Sequence, residues 1–322
     1  MAKKKVGILF GMEDTFPWAL IDSINAEAGD RVEAAPVKIS HLQDTKPIDY
    51  SLILDRISHE VPFYRTFLKC AAAQGVQVIN NPFWWSADDK YFDNLVAEAC
   101  RVAVPRTILL PHKQHPPNTE STSFRNLSLV DWDEVFVYLG FPIFLKPAYG
   151  GGWKDVYRCE NQESFFSAYD RTRDLCMMAQ EAIEFTEYYR CYVLGRSRVR
   201  IMPYDPRQPH HLRYVPNPPA IPPGLEERMR EDSLKLCRAL GYDMNTVEFA
   251  VRMGTPYAID FMNCAPDADL RSVGQENFDW VVSNTAEILI DFVLNPRPFE
   301  STGSWPEILL KRAPQAAEPK RR

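Results

Sequence analysis

From Phe144 to Gly152 the chain reads Phe-Leu-Lys-Pro-Ala-Tyr-Gly-Gly-Gly, a short apolar strand that delivers one lysine, Lys146, and then runs into Gly150, Gly151 and Gly152. Glycines let main-chain N–H groups close on phosphate oxygens, and the ammonium adds a point charge beside them, which suits a nucleotide triphosphate. The pattern is neither a Gly-Lys-Ser/Thr loop opening a helix nor a Gly-x-Gly-x-x-Gly dinucleotide turn. Taken alone, the segment reads equally as a phosphate loop or as a surface hairpin.

Residues 246–267 hold two strand-like runs joined by a turn at Met253-Gly254-Thr255-Pro256. The pairing brings Glu248 opposite Asp260 and Asn263. Two carboxylates and an amide oxygen are hard ligands, and on neighbouring strands they suit Mg²⁺ bridging nucleotide phosphates. The surrounding strand positions are apolar, which argues against a merely solvated hairpin face.

The rest of the chain reads as alternating elements. Strands at Val6–Phe10, Leu52–Asp55 and Val76–Ile79 alternate with helices at Trp18–Ala28 and Phe63–Ala73, as in an α/β layer with a mainly parallel sheet. Ser86-Ala87-Asp88-Asp89 forms a cap, with serine at the N-cap, for a helix running to about Cys100; Lys90 is read as a surface lysine of that helix. A middle α+β unit follows: strand Arg106–Leu110, a polar loop from Pro111 to Ser123, helix Val130–Leu139, the Lys146 strand paired with Val156–Arg158, helix Gln162–Thr172 and strand Met177–Gln180. Residues 203–223 contain eight prolines and are a loop, with His210 and His211 as exposed members. A helix Leu225–Leu240 ends at Gly241, and a last one spans Asn284–Leu294.

Composition is that of a globular enzyme: 322 residues, 45% hydrophobic and 25% charged. A net charge of −6 disfavours a general nucleic-acid or anionic-membrane surface and points to small-molecule partners. The seven cysteines include no Cys-x-x-Cys pair, so neither zinc nor a disulfide framework is indicated, and a reducing cytoplasm is the simplest setting. The apolar run after Met-Ala-Lys-Lys-Lys is too short for a signal peptide. No segment approaches the ~20 apolar residues needed to span a bilayer. Lys311 to Arg322 is expected to fray into solvent.

The order of these pieces resembles the ATP-grasp superfamily, of the carboxylate-amine ligase type that includes glutathione synthetase and D-alanine:D-alanine ligase, over most of the chain. Asp89-Lys90 resembles the step that opens the family's first helix. Val104-Pro105-Arg106-Thr107 resembles its Val-Pro-x-Thr strand, and the glycines after Lys146 resemble the flap over the triphosphate. Ala179-Gln180-Glu181-Ala182-Ile183 resembles the hinge that holds adenine, and Arg190-Cys191-Tyr192-Val193-Leu194-Gly195 the strand after it. The resemblance implies an α/β ATP-grasp fold, with an N-terminal pre-grasp α/β domain (1–84), a small lid subdomain with its connecting helix (85–200), a large subdomain with the metal site (201–312) and a tail (313–322).

It further implies ATP and Mg²⁺ as cofactors and acid and amine small molecules as partners, with a homodimer left open. Arg106, Lys146, Gly150, Gly151, Gly152, Gln180, Glu181, Ala182 and Ile183 would hold the nucleotide. The ribose acid is either Glu184 or Glu187, with Glu187 preferred. Glu248, Asp260 and Asn263 would hold the metal, and Arg271 would steady the transferring group. One departure matters: the family ends on Glu-x-Asn, whereas here Asp260 and Asn263 lie one residue further apart. Strand alternation would send them to opposite faces unless a bulge or strand end intervenes. The implied reaction activates a carboxylate as an acylphosphate that an amine then displaces. Nucleotide binding without chemistry, and phosphorylation to a stable product, remain alternatives.

Overall fold

The computed structural model describes residues 2–43, 46–83, 89–150, 153–209, 212–215, 218–298, 300 and 303–312. These residues form three four-stranded sheets. The first, in the order β2-β1-β3-β4, is built from β1 (Lys4–Leu9), β2 (Val32–Pro36), β3 (Leu52–Asp55) and β4 (Gln77–Ile79), all parallel. Strands β1 and β3 read as nearly continuous apolar runs because both their faces are covered. Val6, Ile8, Leu52 and Leu54 pack with α1 (Phe16–Ala28) and α8 (Gln275–Leu294), while Leu9 and Ile53 pack with α2 (Pro62–Ala73). Both α1 and α2 carry a proline at their first turn, where its missing N–H costs nothing.

Helix α3 (Lys90–Ala99) leads into the second sheet. Its N-cap is Asp89, whose carboxylate accepts the Phe92 N–H at 3.0 Å, rather than the expected Ser86, which lies outside the described residues. The second sheet is antiparallel, in the order β5-β8-β6-β7, from β5 (Thr107–Leu110), β6 (Ile143–Pro147), β7 (Tyr157–Cys159) and β8 (Met177–Glu181). Helices α4 (Trp132–Leu139) and α5 (Gln162–Arg171) cover one face, where Ile143, Leu145, Met177 and Ala179 meet Phe136 and Phe165. Alternation therefore turns Phe144, Lys146, Met178 and Gln180 to the uncovered face.

The third sheet is also antiparallel, in the order β10-β9-β11-β12, from β9 (Glu187–Leu194), β10 (Arg198–Pro203), β11 (Met244–Arg252) and β12 (Thr255–Asp260). Met253 and Gly254 both have positive φ, 53° and 74°, the two-residue hairpin turn whose twist matches the strands. The sheet's two faces differ. Tyr189, Cys191 and Val193 of β9 enter the core under α6 (Pro223–Leu240), whereas Tyr192 and Leu194 share the α8 core with the first sheet. Tyr188 and Arg190 lie on the latter side but beyond its cover.

Three expectations are corrected here. Strand β9 pairs with β10 along its length, so the sheets divide between Glu181 and Glu187, and a boundary at 200 would cut β10. Helix α8 starts at Gln275, nine residues before Asn284, because Phe278 and Val281 continue its buried stripe. Lys311 and Arg312 belong to α9 (Trp305–Arg312), which packs on α3 and α6, with Trp305 edge-on to Phe92 at 5.0 Å. Residues 313–322 lie outside the described ones. No helix among the described residues is long and apolar enough to cross a membrane.

Candidate functional site

The uncovered faces of the second and third sheets enclose a cleft of about 660 Å³. Phe144, Lys146, Gly150, Trp153 and Gln180 line it from one side, and Tyr188, Glu248, Ala250, Ile259 and Asp260 from the other, with Glu181, Ala182 and Ile183 forming the hinge between. Among the described residues the Ile183 N–H has no backbone partner, while those of Glu181 and Ala182 bond Arg106 and Pro142 carbonyls. The sequence-expected hinge, lysine and acids thus meet in one place.

A β-bulge organises the acids. Between Glu248 and Phe249 the register shifts, so that Phe249 opposes Ala258 but Glu248 opposes Asp260. The extra residue, Ile259, brings both carboxylates to the cleft. Glu248 accepts the Tyr188 hydroxyl at 2.6 Å and lies 3.4 Å from Arg190, its register partner on β9. Burial raises the Glu248 carboxyl above its ordinary range; Arg190 opposes that rise and Asp260 adds to it. Desolvation also pushes Asp260 up, but Lys90 and Lys146 outweigh it and hold that carboxyl below the usual range.

Cations complete the site. Lys146 Nζ donates to the Ile259 carbonyl at 3.2 Å, and burial, with Lys90 nearby, brings its ammonium down to about 8 against the pull of Asp260 and Glu248. Lys90 Nζ lies 3.3 Å from Asp260 Oδ2, with its side chain only 15% exposed. The expectation of a surface lysine is therefore overturned: the Lys90 N–H bonds the Ala148 carbonyl, which tethers the start of α3 to the end of β6. Arg190 is buried over the Tyr204 ring and donates to the Tyr214 hydroxyl at 2.7 Å.

Several other expected residues do not reach the cleft. Arg106 turns to Glu181 Oε2 at 3.0 Å and to the Leu139 carbonyl at 3.0 Å and does not line the cleft. Glu187 has the parity of the α6-facing side of β9 and accepts the Tyr189 hydroxyl at 3.0 Å, so Glu184, which lines the cleft and pairs with Arg158 at 2.7 Å, is the acid in reach. Asn263 does not line the cleft; the Asn245 amide holds its N–H at 2.8 Å and the Phe261 carbonyl at 2.7 Å, fastening the segment after β12 to β11. Arg271 is an exposed residue of the short helix α7 (Leu270–Val273). Gly151, Gly152, His210 and His211 lie outside the described residues. The missed members are Lys90, Tyr188 and Arg190; the pairing of β9 with Glu248 was the signal for the last two.

The donor set suits magnesium. No group of three His, Cys, Asp or Glu residues able to hold a metal occurs among the described residues. Two adjacent carboxylates facing a cleft with room for phosphates is the arrangement Mg²⁺ accepts, because it keeps waters and takes substrate oxygens for its remaining positions.

This chain has the ATP-grasp fold. Its structure aligns with D-alanine–D-alanine ligase from Bacillus anthracis, solved with ATP, at a TM-score of 0.64 and 17% identity over 91% of this chain and 98% of that one. VanG D-Ala:D-Ser ligase from Enterococcus faecalis gives 0.65 and 14% over 91% and 100%. The RimK domain protein ATP-grasp from Sphaerobacter thermophilus gives 0.63 and 18% over 90% and 100%. In sequence, pyruvate carboxylase 1 of Caenorhabditis elegans is 31% identical over 137 residues, 38% of this chain but only 12% of that protein. Mouse mitochondrial pyruvate carboxylase matches at 31% over 41% of this chain and 13% of its own length. No protein-family model matches the chain.

Proposed function

We propose that this chain is an ATP- and Mg²⁺-dependent ligase that joins a carboxylate substrate to an amine through an acylphosphate. The observation that carries this reading is the meeting of Lys146 and Lys90 with Glu248 and Asp260 at one end of a cleft whose other end is an apolar hinge. Adenine would lie against Phe144, Ile183 and Ala250, which line the cleft, with the Ile183 N–H as a donor, and Glu184 would be the acid for ribose. Lys146 and Lys90 hold phosphate oxygens. Glu248 and Asp260 would hold Mg²⁺, which would supply positive charge to offset the phosphate oxygens during attack on the γ-phosphorus. Arg190, fixed by Tyr214 and Glu248, takes the role first expected of Arg271, as the buried guanidinium beside the acids. Catalysis then needs positioning and positive charge rather than a covalent nucleophile of the protein.

The ligases of similar fold are a D-alanine–D-alanine ligase and a D-Ala:D-Ser ligase. They support an acid and an amine as the two substrate types without naming this chain's own pair. The test is product analysis with candidate amino-acid and peptide pairs. ADP and phosphate released only when acid and amine are both present is the expected result. A stable phosphorylated product would instead make the chain a kinase, and ATP binding with no turnover for any pair would make it a nucleotide-binding protein.

A further inference from the structure

The hinge hangs on fewer backbone bonds than the sheets it joins. The Ala182 N–H bonds the Pro142 carbonyl at 3.0 Å on the second-sheet side, and the Thr186 N–H bonds the Val251 carbonyl at 3.1 Å on the third-sheet side. Between them, Ile183, Glu184 and Phe185 make no backbone–backbone hydrogen bond among the described residues. The direction of the Ile183 N–H therefore follows from where the two ends of this short stretch are held.

One side chain spans the gap. Glu181, the last residue of β8, gives one carboxylate oxygen to each side: Oε2 accepts Arg106 Nε at 3.0 Å, just before β5, and Oε1 accepts Arg252 Nη1 at 2.7 Å, at the end of β11. Arg106 also donates to the Leu139 carbonyl, and Arg252 lies over the Tyr257 ring at 4.7 Å, so both guanidinium groups are held in their own units. Burial pushes the Glu181 carboxyl up, but Arg106 and Arg252 outweigh it and hold that carboxyl below its ordinary range. The bridge is thus charged on all three members at neutral pH. Its plain alternative is an ion pair that serves stability. Arg106 and Arg252 are 48% and 33% exposed, however, and exposed pairs contribute little to stability. Charge-assisted bonds from one carboxylate do constrain geometry, and here they tie the two sheets together beside the hinge.

We propose that Arg252 is a positioning residue for the nucleotide: through Glu181 it fixes the third sheet to the end of β8, so that the Ile183 N–H points at the acceptor N1 of an adenine between Phe144 and Ala250. This rests on the reading of the cleft as a nucleotide site. Arg252 itself does not line the cleft, so its effect passes through the hinge.

The experiment measures binding of ADP and of inosine diphosphate to the full chain by calorimetry. Inosine carries a hydrogen on N1 and offers the Ile183 N–H no acceptor there. The unaltered chain should prefer ADP about tenfold, one hydrogen bond against an unpaired donor. Arg252→Met should bind ADP several-fold more weakly and inosine diphosphate almost as before, which shrinks the preference to about two- or threefold, with little change in unfolding temperature. Arg252→Lys should keep most of the preference. Arg252→Met should add nothing in a Glu181→Gln background, because both changes remove the same bond. Equal losses for the two nucleotides, or a preference that Arg252→Met leaves intact, would make Arg252 an ordinary ion-pair residue. Equal binding of both by the unaltered chain would remove the Ile183 N–H from base recognition, and the inference with it. Binding of neither nucleotide would instead sink the nucleotide reading as a whole.

Discussion

On the third-sheet wall of the cleft, Glu248 is held by two neighbours in its own sheet, the Tyr188 hydroxyl and the Arg190 guanidinium. On the second-sheet wall, Lys146 has no such neighbour among the described residues and reaches across the cleft to the Ile259 carbonyl. The anionic wall is therefore oriented before any ligand arrives, while the cationic wall is positioned by the approach of the two sheets. On the function proposed above, the difference separates two contributions to binding: the acids would offer the metal a pair of carboxylates of which Glu248 is already oriented, and the lysine would offer charge that depends on burial.

The sharpest way to break the comparison is to remove the lysine. Lys146→Met should weaken ATP binding about 10- to 100-fold, the range for charge-assisted hydrogen bonds to phosphate, and should leave the unfolding temperature unchanged or higher. Unchanged affinity in calorimetry would remove Lys146 from the site. Its ammonium also sets a pH dependence. Because the folded value of about 8 lies below the ordinary 10.5, free protein loses this charge as pH rises through 8, and ATP affinity should fall by about tenfold at pH 9 relative to the plateau below 8. Stability moves the other way: between 8 and 10.5 the unfolded chain binds the proton more, so this group makes the folded state more stable as pH rises. The binding step should vanish in Lys146→Met.

The anionic wall is tested by Asp260→Asn and Glu248→Gln. Each should weaken the metal-dependent part of ATP binding by about tenfold while sparing metal-free nucleotide binding, and the pair should be less than additive because the two share one ion. Full additivity, or loss of metal-free binding, would mean that the acids act separately from a common cation.

A smaller effect is expected at the loop between the walls. Gly150 has φ +83°, and a Cβ there meets nothing within 4 Å, so Gly150→Val adds backbone strain without a clash. That strain costs about 1–3 kcal/mol, and in a loop that closes on phosphates it should raise the KM for ATP several-fold with little change in unfolding temperature. An unaltered KM would make the loop an ordinary hairpin. The smallest contrast sits at the hinge: Glu184→Gln should weaken ATP by a few-fold, about the worth of one exposed hydrogen bond, and Glu187→Gln should not. The reverse order would show that β9 starts in the other phase.

Much of the site was legible in the primary structure, for reasons visible in its residues. The Lys146 strand and its glycines, the hinge from Gln180 to Ile183 and the hairpin carrying Glu248 and Asp260 are contiguous segments, and each brings its chemistry together by itself. The errors fall where a residue's direction depends on distant pairing. Arg106 stands in the right motif yet is taken by Glu181 from β8 and by the Leu139 carbonyl. Glu187 has a suitable spacing, but β9 begins with it on the α6-facing side. Lys90 looks like a surface residue of a capped helix until β12 brings Asp260 against it.

By itself the sequence indicated most of the strands and helices around the cleft, and that a lysine and two carboxylates belong together there. Apolar periodicity, caps and turn residues act over a few positions and can be read along the chain. Only the tertiary structure decided the bulge that sets Asp260 beside Glu248, the fastening of Asn263 away from the cleft, and the bridge from Glu181 to Arg252. Each of these depends on which strand or helix lies alongside, and the field and burial that set a charged group's partner come from elements remote in sequence.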